Sequence, residues 1–357
     1  MVYLLYSFVF FFVGWIICNQ KVSKKSFFVV YIGIVFFWGL SYIDAPDTPG
    51  YINKFNYDIE SLPGRLDAQF EIGYSWTAAL IKTIYPHYWF FQFVILGIDV
   101  LLIIKGLRYY FDDKILLSLI PLLFFIFPTN LAAFRQGIAT SLFIYALHYI
   151  MDENIKKSLL YPGFILLAAL FHQSAIMLIL LYLLRFGKKY LSYNWVIILF
   201  LIFCDVIWLT GSSLLSRFGF LQVFFSHEYM DMGQKYTDLM VGASLSGTYG
   251  FAKVIEINIV VLLYTFFCKV EKENEILRCN LLLYVFAGLC FGGLVGHRLN
   301  YYWTILYYVC FVRGVMELPI LKKSLSISFS IMALYMFWFF VIKSGYIKDD
   351  YLLLFSY

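Results

Sequence analysis

Apolar runs long enough to cross a bilayer recur along almost the whole chain, and they constrain the fold more than any other feature. Each is roughly 17–20 residues, the helical length that spans a hydrocarbon core. A lipid-exposed backbone must satisfy its own hydrogen bonds, so such runs are helices. Of the 357 residues 62% are hydrophobic and only 14% are charged, whereas a soluble domain is about half apolar and a quarter charged. The expected fold class is all-α: a polytopic integral membrane protein forming one transmembrane domain over 1–357, with no room for a soluble domain between spans.

Basic residues set the orientation. The first run, 2–18, lacks a basic start and a small-residue cleavage site, so it reads as a retained span. Lys21, Lys24 and Lys25 follow it and mark the inner side. A second span, 27–43, leads to an acidic outer loop, 44–71, rich in Pro, Gly and Asp. The next run, 72–85, is only about 14 residues and suits a re-entrant or interfacial helix, broken from its successor by Pro86. Spans are then expected at 88–104, 115–131, 136–150, 158–173, 174–187 and 194–210. A long outer segment, 211–250, precedes the last four, at 251–268, 279–297, 300–314 and 324–343. That makes about 12 transmembrane helices, with the turns at Lys156/Lys157, Arg185/Lys188/Lys189, Lys269/Lys272/Arg278 and Arg313/Lys322/Lys323 inside. The net charge of +5 follows from these loops and is not a nucleic-acid signal. The six cysteines include no C-x-x-C pair, so neither a zinc site nor a disulfide framework is indicated.

The stretch Pro128–Ser174 concentrates the unusual residues. Two apolar helical runs face each other across a charged turn, which puts Arg135 and His172 at the same, outer end. Arg135 falls in the first turns of its helix, where a guanidinium adds to the positive helix end and offers a fork for anionic oxygens. The alternative is an arginine that snorkels to the interface. An imidazole titrates near neutrality and can move a proton, but His172 could equally bond a neighbouring helix. Ala133, Gly137 and Ser141 recur every four residues and read as a close-packing face. Arg298 follows Gly288, Gly292 and Gly296, with Tyr301 and Tyr302 beyond, at the expected mouth of a tightly packed helix. The outer loops add Asp47, Tyr51, Asp67 and Glu71, the last two sharing a face if 67–71 is helical, and Arg217 and His227 in 211–250. Asp99, Asp205 and Glu256 lie inside spans, where carboxyls are costly and bond neighbouring helices or touch substrate. The chain has no Walker loop, H-E-x-x-H, G-x-S-x-G or dinucleotide fingerprint. Any chemistry must use a preactivated substrate, and no cofactor or metal is expected.

These residues form a recognisable series: D-T-x-x-Y at Asp47–Tyr51, E-x-G at Glu71–Gly73, R-Q-x-x-A at Arg135–Ala139, F-H-x-S at Phe171–Ser174, and an arginine followed by tyrosines at Arg298–Tyr302. In order and spacing the series resembles the EpsG family, a branch of the Wzy-type polysaccharide and O-antigen polymerases. The chain departs from it where D-Y is common, having Asp47-Thr48 and its tyrosine only at Tyr51. The resemblance implies a multi-pass enzyme of the bacterial cytoplasmic membrane with its site facing outside. It implies a substrate of oligosaccharide repeat units carried on undecaprenyl diphosphate, with a flippase and a chain-length regulator as partners and no nucleic acid. His172, Asp47 and Glu71 are then the candidate catalytic groups. Arg135, Gln136, Arg298, Tyr302, Tyr51, Arg217 and His227 are candidate substrate-binding groups, and the outer loops 44–71 and 211–250 face the substrate. Three other readings stay open. A lipid-phosphosugar glycosyltransferase would share the outer-loop acids but often appends a soluble domain. A repeat-unit flippase would show two similar halves and a charged central cavity. A membrane O-acyltransferase would also use a histidine.

Overall fold

The computed structural model describes residues 48–62, 71–111, 133–183, 193–210, 251–268, 272–291 and 293–317, with scattered positions between 28 and 39. Every element among the described residues is helical. The expected spans at 2–18, 115–131 and 324–343 lie outside the described residues, as does the segment 211–250. The chain forms two compact units, one of residues 1–185 with 323–357 and the other of 186–322.

In the first unit, α1 (Thr48–Asn53) runs on as a π-helical turn, Lys54–Asp58. The acidic segment expected to be a loop is therefore partly helical. Pro49 stands at its first turn, where a missing N–H costs nothing. Tyr51 and Phe55, one turn apart, are both buried. α2 (Ile72–Ile84) has the short length expected and ends at Tyr85, whose extended backbone (φ −151°, ψ 112°) is the conformation that a following proline imposes. Its inner face buries Tyr74, Ser75, Ala78, Ala79 and Ile81. The opposite stripe, Ile72, Trp76, Leu80 and Ile84, is exposed and wholly apolar.

α3 (Tyr88–Phe111) is longer than its apolar run, because Lys105 and Arg108 favour helix and can carry their charges outward. Residues Tyr88–Tyr110 are long and apolar enough to cross a membrane, and Gln173–Leu183 and Asn194–Leu209 are shorter apolar helices. α3 packs on α4 (Phe134–Ala146) with the backbones nearly touching: a Cβ at Gly106 would lie 2.5 Å from the Ile144 carbonyl oxygen. Only a small residue allows that approach. Asp99 is buried at this crossing, beside Ser141, whose hydroxyl donates to the Gly137 carbonyl of its own helix at 3.0 Å. Ser141 belongs to the small-residue face foreseen in the sequence, and Asp99 lies against the neighbouring helix.

A 3₁₀ turn (Leu147–Met151) ends α4. The charged turn closes as Asp152 accepts from the Asn154 N–H, at 2.9 Å, and Asn154 accepts from the Lys156 N–H, at 3.0 Å. Asn154 thereby caps α5 (Ile155–Ser158). α6 (Leu160–Ala169) then returns along α4, with Phe164 packed on Tyr145 at 5.1 Å. Pro162 is tolerated in its first turn. A tight turn at Leu170–His172 leads into a 3₁₀ helix, Gln173–Leu183, pinned to α6 by the Tyr161 hydroxyl donating to the Leu178 carbonyl at 2.6 Å.

The second unit comprises α7 (Asn194–Leu209), α8 (Phe251–Phe267), α9 (Lys272–Phe286), a π-helical turn (Ala287–Phe291) and α10 (Gly293–Met316). Its carboxyls also serve neighbouring helices. Asp205 accepts from Asn258 at 3.2 Å, and Glu256 accepts from Lys253 at 2.6 Å and Tyr307 at 3.0 Å. The sequence suggested a break near Arg298, between spans at 279–297 and 300–314. The change of helix instead falls at the π-helical turn 287–291, where Gly288 makes a regular helix costly, and Arg298 lies in the second turn of α10.

Candidate functional site

Four separated stretches of sequence converge at one end of the first unit. Arg135, in the first turn of α4, donates from Nη1 to Oε2 of Glu71 as an ion pair. Its guanidinium also hydrogen-bonds the Tyr51 hydroxyl of α1. Glu71 is not helical. It occupies the N-cap of α2 in an extended conformation (φ −57°, ψ 143°), and its carboxylate turns to Arg135 rather than capping its own helix. The expected helical pairing of Asp67 with Glu71 thus fails at Glu71, and Asp67 lies outside the described residues.

The fourth stretch is the turn after α6. The Gly73 N–H donates to the Leu170 carbonyl at 2.8 Å, two residues past Glu71 and two residues before His172. A Cβ at Gly73 would lie 2.7 Å from that oxygen and 2.9 Å from its carbon, so the E-x-G glycine is demanded by contact between two backbones. Gly73→Ala should therefore push α2 away from the His172 turn. Overpacking of this kind costs about 1–3 kcal/mol, read as a lower thermal midpoint in detergent, with loss of activity at matched protein levels. An unchanged midpoint and full activity would show that the contact is dispensable.

His172 is held by Ser174, whose Oγ lies 2.6 Å from Nδ1. In the tautomer that donates from Nδ1 to Ser174, the basic lone pair is on Nε2. The ring is only part-buried.

Beneath the ion pair lies a packed aromatic floor that sequence reading missed. Tyr51 packs on Tyr74 at 5.8 Å and on Phe134 at 5.9 Å. Phe91 stacks on Phe134 at 5.6 Å and on Phe55 at 5.2 Å. The neighbours Arg135 and Glu71 are thus fixed by rings from α1, α2, α3 and α4. The spacing Tyr51/Phe55 was the available signal, but in a chain that is 22% aromatic it does not stand out.

The remaining candidates separate. Gln136 is buried on α4 beside Arg135. Tyr302 is buried on α10 of the second unit, which also carries Arg298. Asp47, Arg217 and His227 lie outside the described residues. Among the described residues no group of three or more His, Cys, Asp or Glu is placed to hold a metal ion.

No curated protein and no solved structure shows a significant match to the chain. The family comparison does: the match to the EpsG family runs over residues 24–357 and takes in all four of these stretches. By a match over nearly its whole length, the chain belongs to the EpsG family, a polysaccharide-polymerase-like family of membrane-associated proteins in polysaccharide biosynthesis.

Proposed function

We propose that the protein joins oligosaccharide repeat units carried on undecaprenyl diphosphate, at the outer face of the bacterial cytoplasmic membrane. The observation that carries this reading is the meeting of Tyr51, Glu71, Arg135 and the His172 turn at one end of the first unit. The family match spans all of them.

In the proposed reaction the acceptor sugar's hydroxyl oxygen attacks the anomeric carbon of the donor. The new glycosidic bond forms as the bond from that carbon to the lipid diphosphate breaks. The hydroxyl proton passes to His172 Nε2, and the bonding pair leaves with the diphosphate. Arg135 stabilises the charge that develops there, and Glu71 holds the guanidinium in place until the anion arrives. Glu71 and Asp47 are the other candidate bases. Arg298, Tyr302, Arg217, His227 and Gln136 are proposed to contact sugar or diphosphate. The substrate is already activated, so no nucleotide or cofactor enters.

A membrane-spanning chain of about 12 helices is part of this reading. Its support is the recurrence of exposed apolar faces along the helices. α7 exposes Trp195, Leu199, Ile202, Phe203, Val206 and Leu209. α8 exposes Phe251, Ile255, Ile259 and Phe266. Patches of that extent belong against lipid rather than water. The stripe Ile72–Trp76–Leu80–Ile84 fits α2 as an interfacial or re-entrant helix.

A strain lacking the protein tests the reaction class. Polymerase loss should leave single repeat units on the carrier at the outer face, with no ladder of longer chains on a gel. Absence of all outer-face units would instead identify a flippase, and a normal ladder lacking only acetyl groups an acyltransferase.

A further inference from the structure

We propose that Lys82 is a positioning residue: it clamps the far end of the 48–58 helix so that Tyr51 stays seated against Arg135. This rests on the polymerase reading of the Arg135 site. Lys82 stands in the last turn of α2, where a lysine ordinarily serves its own helix's terminal carbonyls. Here it serves another segment. Its Nζ donates to the carbonyls of Phe55 at 2.6 Å, Asn56 at 3.0 Å and Ile59 at 2.6 Å. An ammonium has three protons to donate, and all three are used. Carbonyls in the last turn of a helix have no partner within it, so this cation supplies what the short π-helical turn lacks. The ammonium also lies 5.3 Å from the centre of the Phe55 ring, a cation–π distance. The next residue repeats the tie: Thr83 Oγ1 accepts from the Leu62 N–H at 2.9 Å.

The segment is thus held at two points. Tyr51 bonds the guanidinium at one end, and Lys82 and Thr83 hold the other. The rings of Tyr51 and Phe55 fill the floor between them. An anion that takes Arg135 must compete with Tyr51 and Glu71. The Lys82 clamp keeps the helix from leaving when they yield. Helix α2 therefore positions the site from both ends, with Glu71 and Gly73 at its start and Lys82 and Thr83 at its finish.

The test pairs a distance measurement with a double-variant cycle. Spin labels at Tyr57→Cys and Ile84→Cys, both exposed in the native chain, report the segment against α2 in a background lacking the native cysteines. A narrow distance distribution should broaden in Lys82→Met and stay narrow in Lys82→Arg, which keeps donors for the carbonyls. Chain extension should fall about ten- to hundredfold in Lys82→Met, as expected when a catalytic group is displaced by about 1 Å. Lys82→Met should add little to the loss already caused by Tyr51→Phe, because both act through one contact. An unchanged distribution with normal extension would overturn the clamp. Losses that simply add would show Lys82 acting elsewhere than through Tyr51. The label result stands if the polymerase reading fails, so the two failures are distinguishable.

Discussion

Arg135→Lys should lower chain extension by about a hundred- to thousandfold, although it preserves the charge. A lysine presents a point cation on a flexible stem and cannot reproduce a planar fork bonded to two partners. Arg135 uses that fork: Glu71 and Tyr51 approach it from different elements. Arg135→Ala is the less informative variant. It strands the Glu71 carboxylate, 13% exposed, and an unpaired buried charge destabilises the fold by about 3–5 kcal/mol. Arg135→Ala/Glu71→Ala removes both charges and separates the two effects. It should fold like the native protein and remain inactive. If the arginine only anchored the helix at an interface, lysine would serve as well, and wild-type ladders from Arg135→Lys would return it to that role.

His172→Ala should lower the rate by about 10²–10⁴-fold, the usual contribution of a positioned general base, at unchanged protein levels. The side chain sits on a turn and is part-buried, so its removal leaves no large cavity. His172→Gln keeps a polar group that can bond Ser174 but cannot carry a proton in catalysis. It should be as inactive as alanine. Ser174→Ala should lose less, because Ser174 orients the ring without receiving the proton. Retention of activity in His172→Gln would make His172 a structural group bonded to its own turn and would move the role of base to Glu71 or Asp47. Rates for all variants should be taken from ladders at matched protein levels.

The sequence revealed the shared end of Arg135 and His172 for a simple reason. Two apolar runs joined by a charged turn must fold back on each other, so Arg135 and His172 share an end. α4, α6 and the capped turn at Asn154 have that arrangement. Pro86 likewise marked the end of α2. Glu71 and Tyr51 were legible only through the family series, because nothing local says that either meets an arginine. The helix at 48–58 was hidden by its own composition. Asp, Pro and Gly read as loop, and the helix exists because Tyr51 and Phe55 bury their rings and Lys82 supplies its terminal carbonyls. Those are tertiary causes. Lys82 was invisible for the same reason, since a lysine ending a short apolar run looks like any interfacial cation. At Arg298 the glycine spacing reads as packing, whereas the helix changes earlier, at the π-helical turn that holds Gly288, and α10 already starts at Gly293.

The purified protein in lipid membranes, supplied with repeat units on undecaprenyl diphosphate and nothing else, should join them unaided. The measurement is lipid diphosphate released against glycosidic bonds formed, with Arg135→Lys alongside. Products of two, three and more units should appear, with one lipid diphosphate freed per bond and almost none of either from the variant. Units that cross the membrane unjoined, or a ladder that Arg135→Lys builds as fast as the native protein, would contradict the polymerase reading.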